Sequence, residues 1–409
     1  MDNDQSAVFL KQLNLKNVLS FGDLTSLDFK PLTVLIGPNA SGKSNLLSVI
    51  SLFQGMPADL TAPIRDGGGI AEWIWKGNPK NPIHLDGIFQ FTQSHHSRTI
   101  HHHLALKQSG LTADVIDEKI ENKEPEQGRR VPYLFFEYKA GHATINQLNL
   151  NNGSAAAQNR KRGLKSDTYN PAQSVLAQRK DPEQYPEITR LGELYKQIHI
   201  YRDWQSGGLT KARMPCRADA PGDFLAEDFS NLGMMLNRLR TIGSVRGEME
   251  KNLNHLYENA RDFDIQVQGG LLEVYLLETG PRGVDFKIPA TRMSDGILHW
   301  LALLMILLHP TPPPLVCLEE PEIGLHPDMI HSLAELLIKA SERMQIIVTT
   351  HSDLLVDALR DQPESIVVCV KEDGQTRMKR LEPEILDKWL DQYTLSELWL
   401  KGELGGVRY

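Results

Sequence analysis

Gly37-Pro38-Asn39-Ala40-Ser41-Gly42-Lys43-Ser44 is the stretch from which the rest of the chain is read. The apolar run 32–36 precedes it, and Leu46, Leu47, Ile50 and Phe53 follow at the three- and four-residue spacing of a helix face. The context is strand, glycine loop, helix. Glycines let the backbone approach an anion closely, while loop amides and the helix N-terminus point at it. In such a pattern Lys43 brings a mobile charge to the β/γ-phosphates and the Ser44 hydroxyl reaches Mg²⁺. A plain tight turn before a helix is the competing reading, and the flanking strand and helix outweigh it.

Composition bounds what such a loop can serve. The 409 residues are 41% hydrophobic, enough for a large core and one to three domains. A net charge of −8 excludes a globally basic nucleic-acid protein and leaves only a local patch to hold a phosphate backbone. Cys216, Cys317 and Cys369 lie far apart without metal-like spacing, which predicts buried thiols in a reducing cytoplasm. The polar, acidic start 1–5 carries no signal-peptide pattern, and the longest apolar run, 300–308, is too short to span a bilayer, so no membrane partner is expected.

Residues 8–29 read as two short strands joined by a turn, entering the loop through Pro31. Gly67-Gly68-Gly69 is read as a permissive loop, with a hinge as the alternative. The alternation over 83–93 predicts a strand, and His95, His96, His101, His102 and His103 follow it. Adjacent histidines on a strand face opposite ways, so an exposed or partly buried sheet edge is expected there, a metal site being the competing reading. Residues 114–130 read as a solvated loop, 131–150 as strands, and 151–170 as turn-rich with a basic cluster, Arg160, Lys161, Arg162 and Lys165. That cluster is either a solvated loop or a phosphate contact. A helix is predicted from Ile188 with a strand at 198–201, then a loop at 213–221 with a basic pair, Arg213 and Arg217, and a helix over 225–239. Strands follow at 271–277 and 284–288. No heptad repeat is sustained, so a long coiled-coil arm is not expected.

Arg292-Met293-Ser294-Asp295-Gly296 opens the apolar helix 297–308. The buried strand 315–318 then delivers Glu319-Glu320-Pro321-Glu322 at its C-terminal end, where a doubly wound sheet places ligand chemistry. Gly324-Leu325-His326-Pro327, a helix 329–339 and a strand 345–350 running into His351 complete the series. Taken singly, Ser294 could be a helix cap, Glu319 and Glu320 a solvated strand end, and His351 a cap or loop contact. Their order behind a phosphate loop argues for one site.

In residues 39–45, 292–296, 319–327 and His351-Ser352 the chain resembles ABC-type ATPases of the RecF and SMC class, particularly the compact AAA-labelled, OLD-like ATPases of prokaryotes without the nuclease domain. The resemblance implies an α/β fold, an ABC-type P-loop ATPase head with an antiparallel β lobe and an inserted α/β region. Its division would be 1–95, the N-terminal part of the head; 96–262, an inserted lobe, mostly β and then helical; 263–370, the C-terminal part of the head; and 371–409, a tail. It implies ATP and Mg²⁺ as cofactors, with Gly37, Pro38, Asn39, Ala40, Ser41, Gly42, Lys43, Ser44 and Asn45 around the phosphates. Ser294 and Gly296 match the signature, which in this class reaches across a dimer to the nucleotide of the other subunit. Glu320 matches the catalytic glutamate, His351 the switch histidine, and Glu319, with Ser44, the metal side, standing where many relatives carry the shorter aspartate. Asp295 stands where transporters have glycine. Gln90 and Gln93 are weak candidates for the glutamine loop.

The activity so implied is ATP hydrolysis by a homodimer or higher oligomer acting as a nucleotide-driven switch in DNA-related or anti-phage defence. The tail from Ser352 is too short for the nuclease domain of OLD-type relatives, so a nuclease or other effector is expected as a separate partner. A RecF-like repair ATPase acting directly on DNA is the alternative, and a transporter subunit is disfavoured by Asp295. Leu395, Leu398 and Trp399 at helical spacing make the tail either a docking element or a packed terminal helix.

Overall fold

A computed structural model describes residues 8–93, 96–126, 128–147, 160–164, 169–204, 206–254, 259–280, 283–383 and 393–404. An eight-stranded antiparallel sheet contains β1 (Leu10–Lys16), β2 (Thr25–Asp28), β4 (Ile83–Gln93), β5 (His96–Ser109), β6 (Thr112–Asn122), β7 (Leu134–Lys139), β8 (His142–Gln147) and β9 (Arg160–Leu164) in the order β2-β1-β4-β5-β6-β7-β8-β9. A six-stranded sheet contains β3 (Leu32–Ile36), β10 (Ile198–Tyr201), β15 (Leu315–Glu319), β16 (Gln345–Thr349), β17 (Ile366–Glu372) and β18 (Gln375–Arg380) in the order β10-β15-β16-β3-β17-β18. All of these pairings are parallel except that of β17 with β18. A small antiparallel sheet joins β11 (Cys216–Arg217), β12 (Ala260–Gln268), β13 (Leu271–Thr279) and β14 (Asp285–Pro289). The helices among the described residues are α1 (Lys43–Gly55), α2 (Ala62–Asp66), α3 (Ile70–Trp73), α4 (Val175–Gln178), α5 (Pro186–Lys196), α6 (Leu232–Leu239), α7 (Gly243–Asn254), α8 (Asp295–Leu307), α9 (Met329–Ser341), α10 (Asp353–Ala358) and α11 (Leu395–Leu400).

Period-2 alternation in the parallel strands divides the interior into two cores. Val34, Val316, Leu318, Ile346 and Val348 pack with α8 and α9, whereas Leu35, Cys317 and Ile347 pack with α1, α5 and the eight-stranded sheet. Each parallel strand is apolar on both faces because helices or a second sheet cover both. The three thiols are buried as expected, and burial pushes Cys369 up to about 12, which suppresses its reactive thiolate.

Several expectations are corrected. Residues 112–122 are β6, not a loop: Ala113, Val115, Glu118 and Ile120 are buried while Lys119 and Glu121 pair on the other face. The histidines lie on β5, an interior strand between β4 and β6 rather than an edge. Charged residues conceal both, since their partners are cross-strand and far in sequence: His101 Nε2 and His103 Nδ1 lie 3.0 and 2.9 Å from Asp86 Oδ1. His95 falls outside the described residues. Arg160, Lys161 and Arg162 belong to β9, the outer strand of the sheet, and Lys165 is outside the described residues. The helix expected from Leu225 starts at Leu232, because Asn231 binds Pro221 O, Phe224 O and Ala226 N and holds that segment as a loop. The loop expected at 213–221 contains the end of a 3₁₀ turn, Lys211–Arg213, and β11. The division expected at 95/96 falls between β4 and β5, which pair within one sheet from Ile83 opposite Leu106 to Gln93 opposite His96. Of the two readings of the tail, the packed helix is observed: Leu395, Leu398 and Trp399 are buried in the core, and Ser396 binds Asp357 of α10.

Candidate functional site

The C-terminal ends of β3, β15 and β16 lie side by side, and each carries one part of the motif series. After β3 the loop passes through Gly37 and Ala40, whose φ of 146° and 61° are positive, into Gly42, the N-cap of α1 with φ 101°. A side chain at Gly37 would strike Cys369 O and one at Gly42 would strike Thr376 Oγ1, so both positions need glycine. Thr376 on β18 donates to Ser41 O (2.8 Å) and clamps the loop from outside. Asn45 donates to Ser20 Oγ (2.8 Å), anchoring the start of α1 to the β1–β2 turn. Asn39 and Ala40 are exposed, Pro38 is half-buried and Ser41 is buried. No side chain caps α1, so its first amides face outward as anion donors. Lys43 Nζ donates to Gly37 O (2.8 Å) and Pro38 O (3.1 Å), folded back onto the start of the loop.

Ser44 Oγ donates to Glu319 Oε1 at the end of β15. The extra methylene of glutamate over aspartate is thus taken up in reaching across to the helix start. A hydroxyl and a carboxylate oxygen brought together form a hard-oxygen pair that suits Mg²⁺. Glu320 follows with φ 49°, an uncommon left-handed conformation for a non-glycine residue, held by its N–H on Thr349 O (2.9 Å). That twist turns its carboxylate toward His351, whose Nε2 lies 3.5 Å from Glu320 Oε1.

The third element sits on α8. Ser294 is its N-cap, its Oγ accepting from Ile297 N (3.3 Å), so the cap reading of this serine holds locally. A Cβ on Gly296 would fall 2.7 Å from Gly324 O, in the loop that Glu320 begins. Gly296→Ala is therefore expected to displace that loop, costing about 1–3 kcal/mol of stability; an unfolding midpoint equal to the parent's would contradict this.

Three residues received no role of their own in the sequence. Arg202 and Trp204 leave the end of β10, the neighbour of β15. Arg202 Nη1 donates to Ser48 Oγ (3.1 Å) on α1 and its Nε lies 3.6 Å from Glu319 Oε2, while Trp204 Nε1 donates to Glu319 O (2.6 Å). A charge directly after the strand-like stretch 198–201 was the available signal. Glu322 is the third. Its Oε1 accepts from Thr350 Oγ1 (2.5 Å) and His351 N (3.1 Å), and burial pushes its carboxyl pKa up. By contrast, Gln90 lies within β4 and donates to Ser97 Oγ (2.8 Å), while the segment 202–204 lies beside Glu319; the Gln93 side chain falls outside the described residues. Among the described residues no group of three or more His, Cys, Asp or Glu is arranged to hold a metal, the β5 histidines included.

A family model described as "AAA domain, putative AbiEii toxin, Type IV TA system" matches residues 32–357, from β3 into α10. The chain belongs to this AAA family. No curated protein matches it. Among solved structures, an SmcHead bound to the C-winged helix domain of ScpA superposes with a TM-score of 0.55 at 15% identity, covering 93% of this chain and 99% of that one. An Smc head domain with an extended coiled coil, bound to the C-terminal domain of ScpA derived from Pyrococcus furiosus, superposes with a TM-score of 0.51 at 13% identity, covering 94% and 99%. At such identity the likeness concerns fold alone: this AAA-family chain has the fold of an Smc head domain. No helix among the described residues is long and apolar enough to cross a membrane.

Proposed function

We propose that this AAA-family ATPase binds ATP on Gly37–Asn45, hydrolyses it, and acts as a nucleotide-driven switch between separate and closed pairs of chains. The observation that carries the reading is the convergence of Ser44 with Glu319, and of Glu320 with His351, on neighbouring strand ends. ATP phosphates would displace Lys43 Nζ from the Gly37 and Pro38 carbonyls and take the α1 amides. Ser44 and Glu319 would hold Mg²⁺, which neutralises charge on the phosphate oxygens. Arg202 steadies the second oxygen of Glu319. Glu320 orients the attacking water and draws on its proton, and His351 supports both that carboxylate and the terminal phosphate. Phosphoryl transfer demands little beyond such positioning and charge stabilisation.

Ser294 and Gly296 would complete the nucleotide site of a second copy, presenting the N-terminus of α8 to its terminal phosphate. Closure would then report nucleotide state to a separately made effector, such as a nuclease in anti-phage defence. The toxin–antitoxin wording of the family and the ScpA-bound state of the two Smc heads support a partner-gated role.

The test is binding of a fluorescent ATP analogue to Lys43→Ala, expected to be weakened at least about 100-fold, since a charge-assisted contact to phosphate is lost. Unchanged affinity would place the nucleotide elsewhere.

A further inference from the structure

Asp295, the residue that departs from the transporter signature, is held from one side by a single buried guanidinium. The Arg213 side chain is only 7% exposed, and every nitrogen of its fork is used. Nη2 donates to Asp295 Oδ1; Nη1 donates to Ala290 O (3.1 Å) and Met293 O (2.5 Å); Nε donates to Gly207 O (3.0 Å). Arg213 therefore ties together both carbonyls flanking the turn that leads into α8 and the first residue of that helix. Asp295 in turn accepts from Gly207 N on both oxygens (3.2 and 3.1 Å), and the Arg213 guanidinium beside it holds its carboxyl below the usual carboxylate range. Gly207 belongs to the loop that leaves β10 through Arg202 and Trp204, the two residues bound to Glu319.

We propose that Arg213 and Asp295 are positioning residues for the nucleotide held by the second copy: they fix the angle at which Ser294 and the α8 N-terminus are presented across the closed pair. The assignment rests on the shared-site reading above. A guanidinium can bridge four acceptors in one plane, whereas an ammonium carries the same charge without the fork. A defect here therefore acts on the partner's phosphate and leaves the chain's own phosphate loop intact.

Arg213→Lys and Asp295→Asn are expected to bind ATP as the parent does and to lose hydrolysis about 10- to 100-fold. Asp295→Asn keeps the side-chain shape and leaves Arg213 on its backbone carbonyls, so it serves where Arg213→Lys fails to fold. The deciding experiment co-expresses two differently tagged chains, purifies the mixed species and measures its hydrolysis. Lys43→Ala paired with Ser294→Arg is the control: one of its two sites has an intact phosphate loop and an intact signature, so it regains activity. Lys43→Ala paired with Arg213→Lys, or with Asp295→Asn, is expected to regain the same activity as the control. Recovery in the control without recovery in either latch pairing overturns the assignment, because the defect would then lie within the chain's own site. No recovery in the control overturns the shared-site reading, and the latch with it.

Discussion

Glu320→Gln is expected to bind ATP and hydrolyse it roughly 10²–10⁴-fold more slowly, the range over which a positioned acid–base group contributes. The amide keeps the shape of the side chain and the left-handed backbone at φ 49°, so the site remains assembled. What it loses is the anionic oxygen 3.5 Å from His351 Nε2. Bound ATP then persists, and light scattering should show a larger species with Mg-ATP than without it. Hydrolysis at the parent rate would remove Glu320 from the catalytic role. Addition of DNA separates two modes of action: co-migration with the ATP-held species favours direct action on DNA, and its absence favours gating of a protein effector.

Glu118→Ala is expected to have the largest effect on stability, about 3–5 kcal/mol, the summed cost of leaving its buried donors unpaired. Glu118 is fully buried and accepts from Ser174 Oγ (2.5 Å), Val175 N (2.9 Å) and Tyr169 OH (2.9 Å), and His102 Nε2 lies 3.3 Å away. His102 Nδ1 lies 3.0 Å from Tyr195 OH, and the Tyr195 ring packs edge-on against Phe53 of α1 with centroids 5.6 Å apart. The carboxylate thus joins β6, α4, β5 and α5 to the helix that carries the phosphate loop. Alanine leaves several buried donors unpaired. Glutamine is expected to recover only part of the loss, because its amide nitrogen must face a donor. Urea unfolding of the three proteins measures this, and equal midpoints would show that the network contributes nothing.

Glu118 also shows why the middle of the chain was hard to read. Its neighbours Asp117, Lys119 and Glu121 make 114–130 look solvated, yet Glu118 and Ile120 are buried within β6. The partners that reconcile Glu118 with the interior come from residues 169–175, more than fifty positions away, and from His102 on the neighbouring strand. The β5 histidines are concealed in the same way, their partners Asp86, Glu118 and Glu121 lying on neighbouring strands. Where burial is apolar, periodicity is enough, and β3, α1, α5, β10, α8, β15, α9 and β16 all stand close to where spacing placed them.

From sequence alone, then, the local units are determined: the glycine loop between a strand and a helix, the capped helix behind Ser294, and the strands tipped by Glu319-Glu320 and His351. These follow from backbone rules and apolar spacing, which act over a few residues. Tertiary structure alone decided which ends became neighbours. Sheet order sets β16 beside β3 across some three hundred residues of chain, with β15 on the far side of β16. It also brought Arg202 to Glu319, Glu322 to the His351 amide, and Arg213 to Asp295. A charged side chain takes its partner from whichever element the fold delivers, and no local period encodes that choice.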